Sequence, residues 1–381
     1  MKAIKDSITI VCATSLLALA VVDAQAGHRA EREDRKTVAV ADETGVFVVN
    51  PRGRAVVIGS ADAREITIVA TRVAKARTEK DAEKLLDKIE WKAYTKDGQI
   101  IIKTTSEGDR GDRSLWSVIR GDRAAAWIDY AIEVPRRLDV RIATTSGEGR
   151  IRSIDGLARV HATSGDVEIR DIGGGAQVDL TSGTIEARDI KGDMKLVASS
   201  GSANLDGVDG TVEVTATSGS LALYRIGGNT TVTLVSGDLT LRGCLGDVVF
   251  VTQSGDAEIH DVEGSISAVT SSGDLDVVIV PVGEKEFNLS SSSGDIDVRY
   301  RAPDDYGFKL NVNTNSGSIE GEMAIKVDTI TRRQLKGVVG TGKSRVVIET
   351  ASGDVKISEK NGADKKRHGH GDLKKSKDKK D

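Results

Sequence analysis

From residue 146 to residue 273, apolar and polar positions recur in a fixed 18-residue frame. After Ser164-Gly165-Asp166, the apolar residues Val167, Ile169 and Ile172 are interleaved with the polar Glu168 and Arg170. Gly174 stands nine residues after Gly165, and Ala176, Val178 and Leu180 then alternate with Gln177 and Asp179 before Thr181-Ser182 opens the next unit. The Ser-Gly pair steps by 18 through 146–147, 164–165, 182–183, 200–201, 218–219, 236–237, 254–255 and 272–273. It recurs off the beat at 293–294 and 316–317, and again at 352–353, two periods beyond 316–317. Each period therefore reads as two short strands with period-two alternation, each following a glycine turn.

A strand of about five residues cannot bury its apolar face alone. Stacking identical units at about 4.8 Å puts Val on Val and Ile on Ile, which makes a continuous core from a thin repeat. The pattern predicts an all-β, single-chain parallel β-solenoid of about 18 residues per coil, with two strands per coil, over residues 135–358. Ala187, Ala198, Ala203, Ala216 and Ala268 fall at inward positions, as a narrow interior requires. An antiparallel run of hairpins is the alternative, because glycine turns also make hairpins; the strict 18-residue register favours the solenoid.

The two ends depart from the beat. Over 37–134 strand signals continue at 46–49, 55–58, 66–70, 100–103 and 128–134, without the period. A helix is expected near 80–89, with Leu85, Leu86 and Ile89 on one face. This span reads as a less regular N-terminal cap, which a stacked repeat needs to close its core. Trp91, Trp116 and Trp127 all lie in it, either as cap core or as an aromatic platform for sugars. Residues 27–36 are charged and read as a linker. Insertions at 281–286 and 301–307, and an interruption at 332–336, are where a regular scaffold would carry specificity. The lysine-rich stretch 359–381 reads as a disordered basic tail, solvated or touching anionic envelope polymers.

Lys2 and Lys5 precede an apolar run from residue 8 to 22, and Ala24-Gln25-Ala26 supplies small residues for cleavage. Residues 1–26 are thus expected to be a secretory signal peptide, cut after Ala26, with a secreted, periplasmic or cell-surface destination. No later run approaches membrane-spanning length, so no integral span is expected in the mature chain. With 41 glycines against 4 prolines, the glycines read as serving turns. A net charge of −4 argues against nucleic acid as the partner.

Candidate chemistry is sparse. Asp238, Asp256, Asp274 and Asp295 follow the Ser-Gly pair in four successive coils, where stacking would bring their carboxylates within about 5 Å of one another, a spacing that invites a cation. The acidic position is expected in one half of each coil only, and a turn aspartate more often bonds backbone. Cys244, the one cysteine after cleavage, occupies an inward aliphatic position and reads as a buried free thiol. His161 and His260 are expected to face outward in different coils, and His28, His368 and His370 lie outside packed elements. No residue is assigned to catalysis, to a cofactor or to a metal.

Units such as TSGDVEIRDIGGGAQVDLTSG and TQSGDAEIHDVEGSISAVTSSGDLDV resemble the bacterial "putative adhesin" family, a group of domains of unknown function with β-strand repeats. The resemblance runs over roughly 40–358 and takes in the helix near 80–89 and Ile132-Glu133-Val134-Pro135 before the repeats. It implies an exported, non-enzymatic β-solenoid that acts in adhesion, surface structure or binding of an envelope polymer, glycan or protein. The alternatives are a polysaccharide-active β-helix enzyme and an envelope-stress signalling module.

Overall fold

The computed structural model describes residues 28–106, 125–301, 303 and 305–360. Among the described residues it is an all-β repeat fold with one helix. The strands form two ladders: ladder one holds the strands that follow a Ser-Gly turn, and ladder two those that follow the second glycine. Successive 18-residue units pair in parallel, with Val160 opposite Val178 in ladder two and Ile169 opposite Ala187 in ladder one. Equivalent residues therefore stack. Ile154, Ile172, Ile190, Val208, Ile226, Cys244 and Val262 make one inward column, each at most 1% exposed. Burial pushes the Cys244 thiol pKa up, in keeping with an inert core residue.

Inward residues of ladder one are spaced two and then three apart, as in Val167, Ile169 and Ile172. The extra residue sits in the left-handed region, at Ser153, Asp171, Asp189, Arg225 and Asp261, or is a glycine at 207 and 243. That single turn of backbone returns the next apolar side chain to the core. Asp and Gly dominate the column because they tolerate positive φ better than most residues.

Both ends are interleaved. The coil formed by Gly45–Val49 and Ala55–Ser60 lies between the Gln99–Ser106/Ala125–Pro135 coil and the Asp139–Ser146/Gly149–Ile154 coil. At the other end, Ser344–Ser352 and Val355–Glu359 slot between Glu286–Ser293/Ile296–Tyr300 and Gly307–Ser316/Ile319–Glu322. The Ser-Gly pair at 352–353 is thus not the beat after 316–317. It stacks directly on 293–294 and carries 316–317 above it.

Antiparallel strands continue both ladders at the N-terminal end. Glu65–Ala76 pairs with Ala125–Pro135, and Ile89–Lys96 with Gln99–Ser106. His28–Ala39 adds to Glu65–Ala76 over all twelve residues, so residues 28–36 are a strand and not a linker. Their charges hid it: as an outermost strand it needs no apolar alternation, and charge protects a sheet edge. Asp34 pairs with Arg72 at 2.9 Å, and Arg32 with Asp87 of helix α1 (Glu79–Lys88) at 3.0 Å. Thr78 caps α1 by accepting from the Asp81 N–H at 3.2 Å, and Ala82 and Leu86 are buried. The 332–336 interruption is the turn and start of a hairpin, Lys326–Ile330 with Gln334–Gly340, laid antiparallel on Gly307–Ser316.

The two described tryptophans, Trp91 and Trp127, do not form a platform. Trp91 packs against the core, edge-on to Tyr130 at 6.1 Å, with its N–H on Asp34. Trp127 lies on the outward side of its strand beneath Lys75. Trp116, the expected signal peptide (1–26), His368, His370 and the tail beyond residue 360 lie outside the described residues. Among those described, no helix is long and apolar enough to cross a membrane.

Candidate interaction surface

Parallel stacking turns each outward position into a row. Along ladder one the first row reads Arg150, Glu168, Glu186, Asn204, Ala222, Thr240, Glu258, Asp276, Asp297. Beside it runs Arg152, Arg170, Arg188, Asp206, Tyr224, Arg242, His260, with Arg299 further on.

Two ionic networks occupy this face. In the first, Glu168 takes Arg152 at 2.7 Å and Arg170 at 2.8 Å, and Arg170 also reaches Glu186 at 3.4 Å. Burial works against the ionised Glu168 carboxyl, yet Arg152, Arg170 and Arg150 hold its pKa below the usual range. In the second, His260 lies between Glu258 (3.3 Å from Nδ1) and Asp276 (3.2 Å from Nε2), and Arg299 donates to Asp276 at 2.6 Å. His260 does point outward, as its strand position predicts, but these neighbours leave it only 8% exposed. Within a rung, Glu168–Arg170 and Glu258–His260 are two residues apart, but partners across rungs are 16 to 23 residues apart, so no local motif joins the rungs; only the 18-residue frame does.

The second network makes a signed pH prediction. Burial raises the Asp276 pKa, but His260 and Arg299 outweigh it, and the net shift is downward. Its stabilising contribution is present above the unfolded pKa and is lost as pH falls through the lower folded value. Asp297 is shifted the other way, by burial and by Asp276, above its ordinary 3.8. Its ionisation therefore costs stability at neutral pH. Thermal melts across the acid range should show Asp297→Asn raising Tm at neutral pH and converging on the parent below about pH 3.8. Asp276→Asn should lower Tm at neutral pH, by an amount that shrinks on acidification.

The turn aspartates come together as stacking predicts, in a structural arrangement. Asp238 Oδ1 accepts the Asp256 N–H at 3.1 Å, Asp256 that of Asp274 at 2.8 Å, and Asp274 that of Asp295 at 2.8 Å. Asp295 accepts from Asp354 at 2.7 Å. One oxygen of each carboxylate is thereby spent on the neighbouring turn, and no cluster among the described residues is arranged to hold a metal ion. The other half of the coil carries the same device. Asp193 accepts from Thr211 N–H, Asn229 from Asp247 and Asp247 from Ser265, which corrects the expectation of an acidic position in one half only.

The insertions at 281–286 and 301–307 brace the interleaved coil. Val282 bridges Tyr306, the Gly307 N–H donates to Pro281 O at 3.1 Å, and Ser344 Oγ donates to Gly283 O at 2.8 Å. Tyr300 stacks on Tyr306 at 6.0 Å. On the outward side of ladder two, Val249, Val251 and Val269 are each about 40% exposed, among uncharged Thr231, Thr233 and Ser267.

Residues 211–358 match the family described as Toastrack DUF4097. The match covers 148 of the 381 residues and falls within the span from 40 to 358 over which the resemblance was expected. Two solved structures are similar to it. One is titled a "putative cell adhesion protein" from Clostridium sporogenes, with 12% identity and TM-score 0.19, covering 87% of this chain and 100% of that one. The other is titled a "putative adhesin" from Bacteroides fragilis, with 9% identity and TM-score 0.24, covering 86% and 97%. No curated protein matches.

Proposed function

We propose that this chain is an exported, non-enzymatic parallel β-solenoid of two strands per 18-residue coil, serving as a rigid scaffold for adhesion or macromolecular binding at the cell envelope. The observation that carries this reading is the outward rows of ladder one. Coil-on-coil register lines up outward side chains, polar at most rungs, along a face of about 60 Å, counting roughly thirteen rungs at 4.8 Å. Such a face suits an extended partner better than a small substrate, which favours a concave pocket. Its charges are largely spent on one another, as the Glu168 and Asp276 networks illustrate. The apolar run and Ala24-Gln25-Ala26 support export by a cleaved leader. Co-sedimentation tests the reading: the chain from Gly27 onward should be retained by purified bacterial envelope material. Retention no greater than that of an unrelated β-protein of similar charge would overturn it.

A further inference from the structure

Midway along ladder one the charged face is interrupted. The first outward row goes from Glu186 through Asn204, Ala222 and Thr240 before charge resumes at Glu258. At its centre Ala222 projects only a methyl group where the rungs to either side carry longer side chains, so the surface dips by most of a side chain. Next to the dip, in the second row, stands part-exposed Tyr224, between Asp206 and Arg242. Gly207 and Gly243 flank the rung in the next column and add no side chain there.

The charges around this notch are already matched. Arg225 donates to Asp206 at 2.7 Å, Arg188 pairs with Glu186 and Arg242 with Glu258. Asn204 Oδ1 and the Nε atoms of Arg188 and Arg242 are buried without a hydrogen-bond partner and closed to a ligand, so polar contacts at the notch fall to the part-exposed Thr240 and Asp206.

We propose that Tyr224 and the Ala222 notch form a subsite for one ring of an uncharged polysaccharide, an assignment that rests on the scaffold reading above and gives it a ligand class. A sugar ring has an apolar C–H face and a rim of hydroxyls. The tyrosine ring offers a flat apolar surface with a polar tip, and Thr240 and Asp206 beside it offer donors and acceptors. The rung spacing of about 4.8 Å is close to the advance per ring along an extended glycan, so a chain laid along the ladder keeps adjacent rings over adjacent rungs. A protein partner fits less well. The window is only three rungs wide, about 14 Å, and lacks the apolar centre of a protein interface. Polyanion binding would need surplus positive charge, which the matched pairs remove.

The test uses the chain from Gly27 to Asp381, with an array of bacterial and plant polysaccharides and with soluble chitohexaose and cellohexaose in titration calorimetry. The parent is expected to bind at least one uncharged glycan. Tyr224→Ala and Ala222→Arg, the second filling the notch without altering the ring, should each weaken that binding by about tenfold or more. Tyr224→Phe should stay within about threefold, because the ring carries the contact. Equal melting temperatures for the three variants and the parent separate a lost contact from a lost fold. No binding to any uncharged glycan, or undiminished binding by Tyr224→Ala or Ala222→Arg, overturns the subsite. The two readings fail differently. If envelope material retains parent and Tyr224→Ala alike, the subsite falls and the scaffold stands; if it retains neither, both fall. Retention abolished by protease treatment of the envelope material identifies a protein partner and also sinks the glycan assignment.

Discussion

A chain ended at Gly342 should lose the ordered structure of its C-terminal quarter. The missing segment, 343–360, supplies the coil held between Glu286–Tyr300 and Gly307–Glu322, and nothing else can fill that place. Val346, Ile348, Val355 and Ile357 are each at most 1% exposed. At about 1.5–3 kcal/mol per buried aliphatic side chain, these four alone are worth roughly 6–12 kcal/mol, the scale of a whole domain's stability. The loss is also one of pairing. Four parallel strands would present unpaired edges, and Phe287, Leu289 and Phe308, now fully buried, would face a gap one rung wide. Because each rung leans only on its neighbours, the damage should stay local. Hydrogen exchange should show protection lost over 286–340 and kept over 139–244. Ending the chain at Lys360 instead, which removes only the basic tail, should leave protection unchanged. Retained protection over 307–322 in the shorter chain would show that the interleaved coil is dispensable.

That coil also marks how far the sequence could be read. The register between neighbours 18 residues apart is a local regularity, so the inward columns, the buried Cys244 and the stacking of the turn aspartates are all legible from the period. Interleaving is a long-range choice. Asp295 and Asp354 are adjacent in space but 59 residues apart in sequence, and the only trace of this is an off-beat Ser-Gly pair that fits two positions equally well. The first strand was invisible for a different reason: the side it turns toward the core is only half-buried and mixes Ala30 and Val38 with the charged Asp34 and Lys36, so it shows no apolar alternation to detect. Ladder one gave up its site least of all. Ala222 and Tyr224 are unremarkable in sequence, and the window they form exists only because their rung lies between two charged networks that the same stacking assembles.

The stacking itself is set by the Ser-Gly glycines, and Gly237→Ala should be among the most damaging single substitutions in the chain. Gly237 has φ +141, and a Cβ built there would lie 2.0 Å from the carbonyl oxygen of Gly219 on the next rung. Both partners are backbone, so no side chain can swing aside; either the rungs separate or the turn changes conformation. Strain of the backbone contributes about 1–3 kcal/mol, and the forced contact should bring the total to about 3–5 kcal/mol, in the range that marks a specific structural conflict. Gly283→Ala separates the two contributions. Gly283 also has positive φ, +80, but an added Cβ meets nothing within 4 Å, so only the strain of about 1–2 kcal/mol applies. Urea melts of the two variants, measured side by side, give the cost of the contact as their difference. If Gly237→Ala costs no more than Gly283→Ala, the spacing between rungs yields by an ångström at little cost, and the ladder pairing rather than the glycine turn sets the rise of the coil.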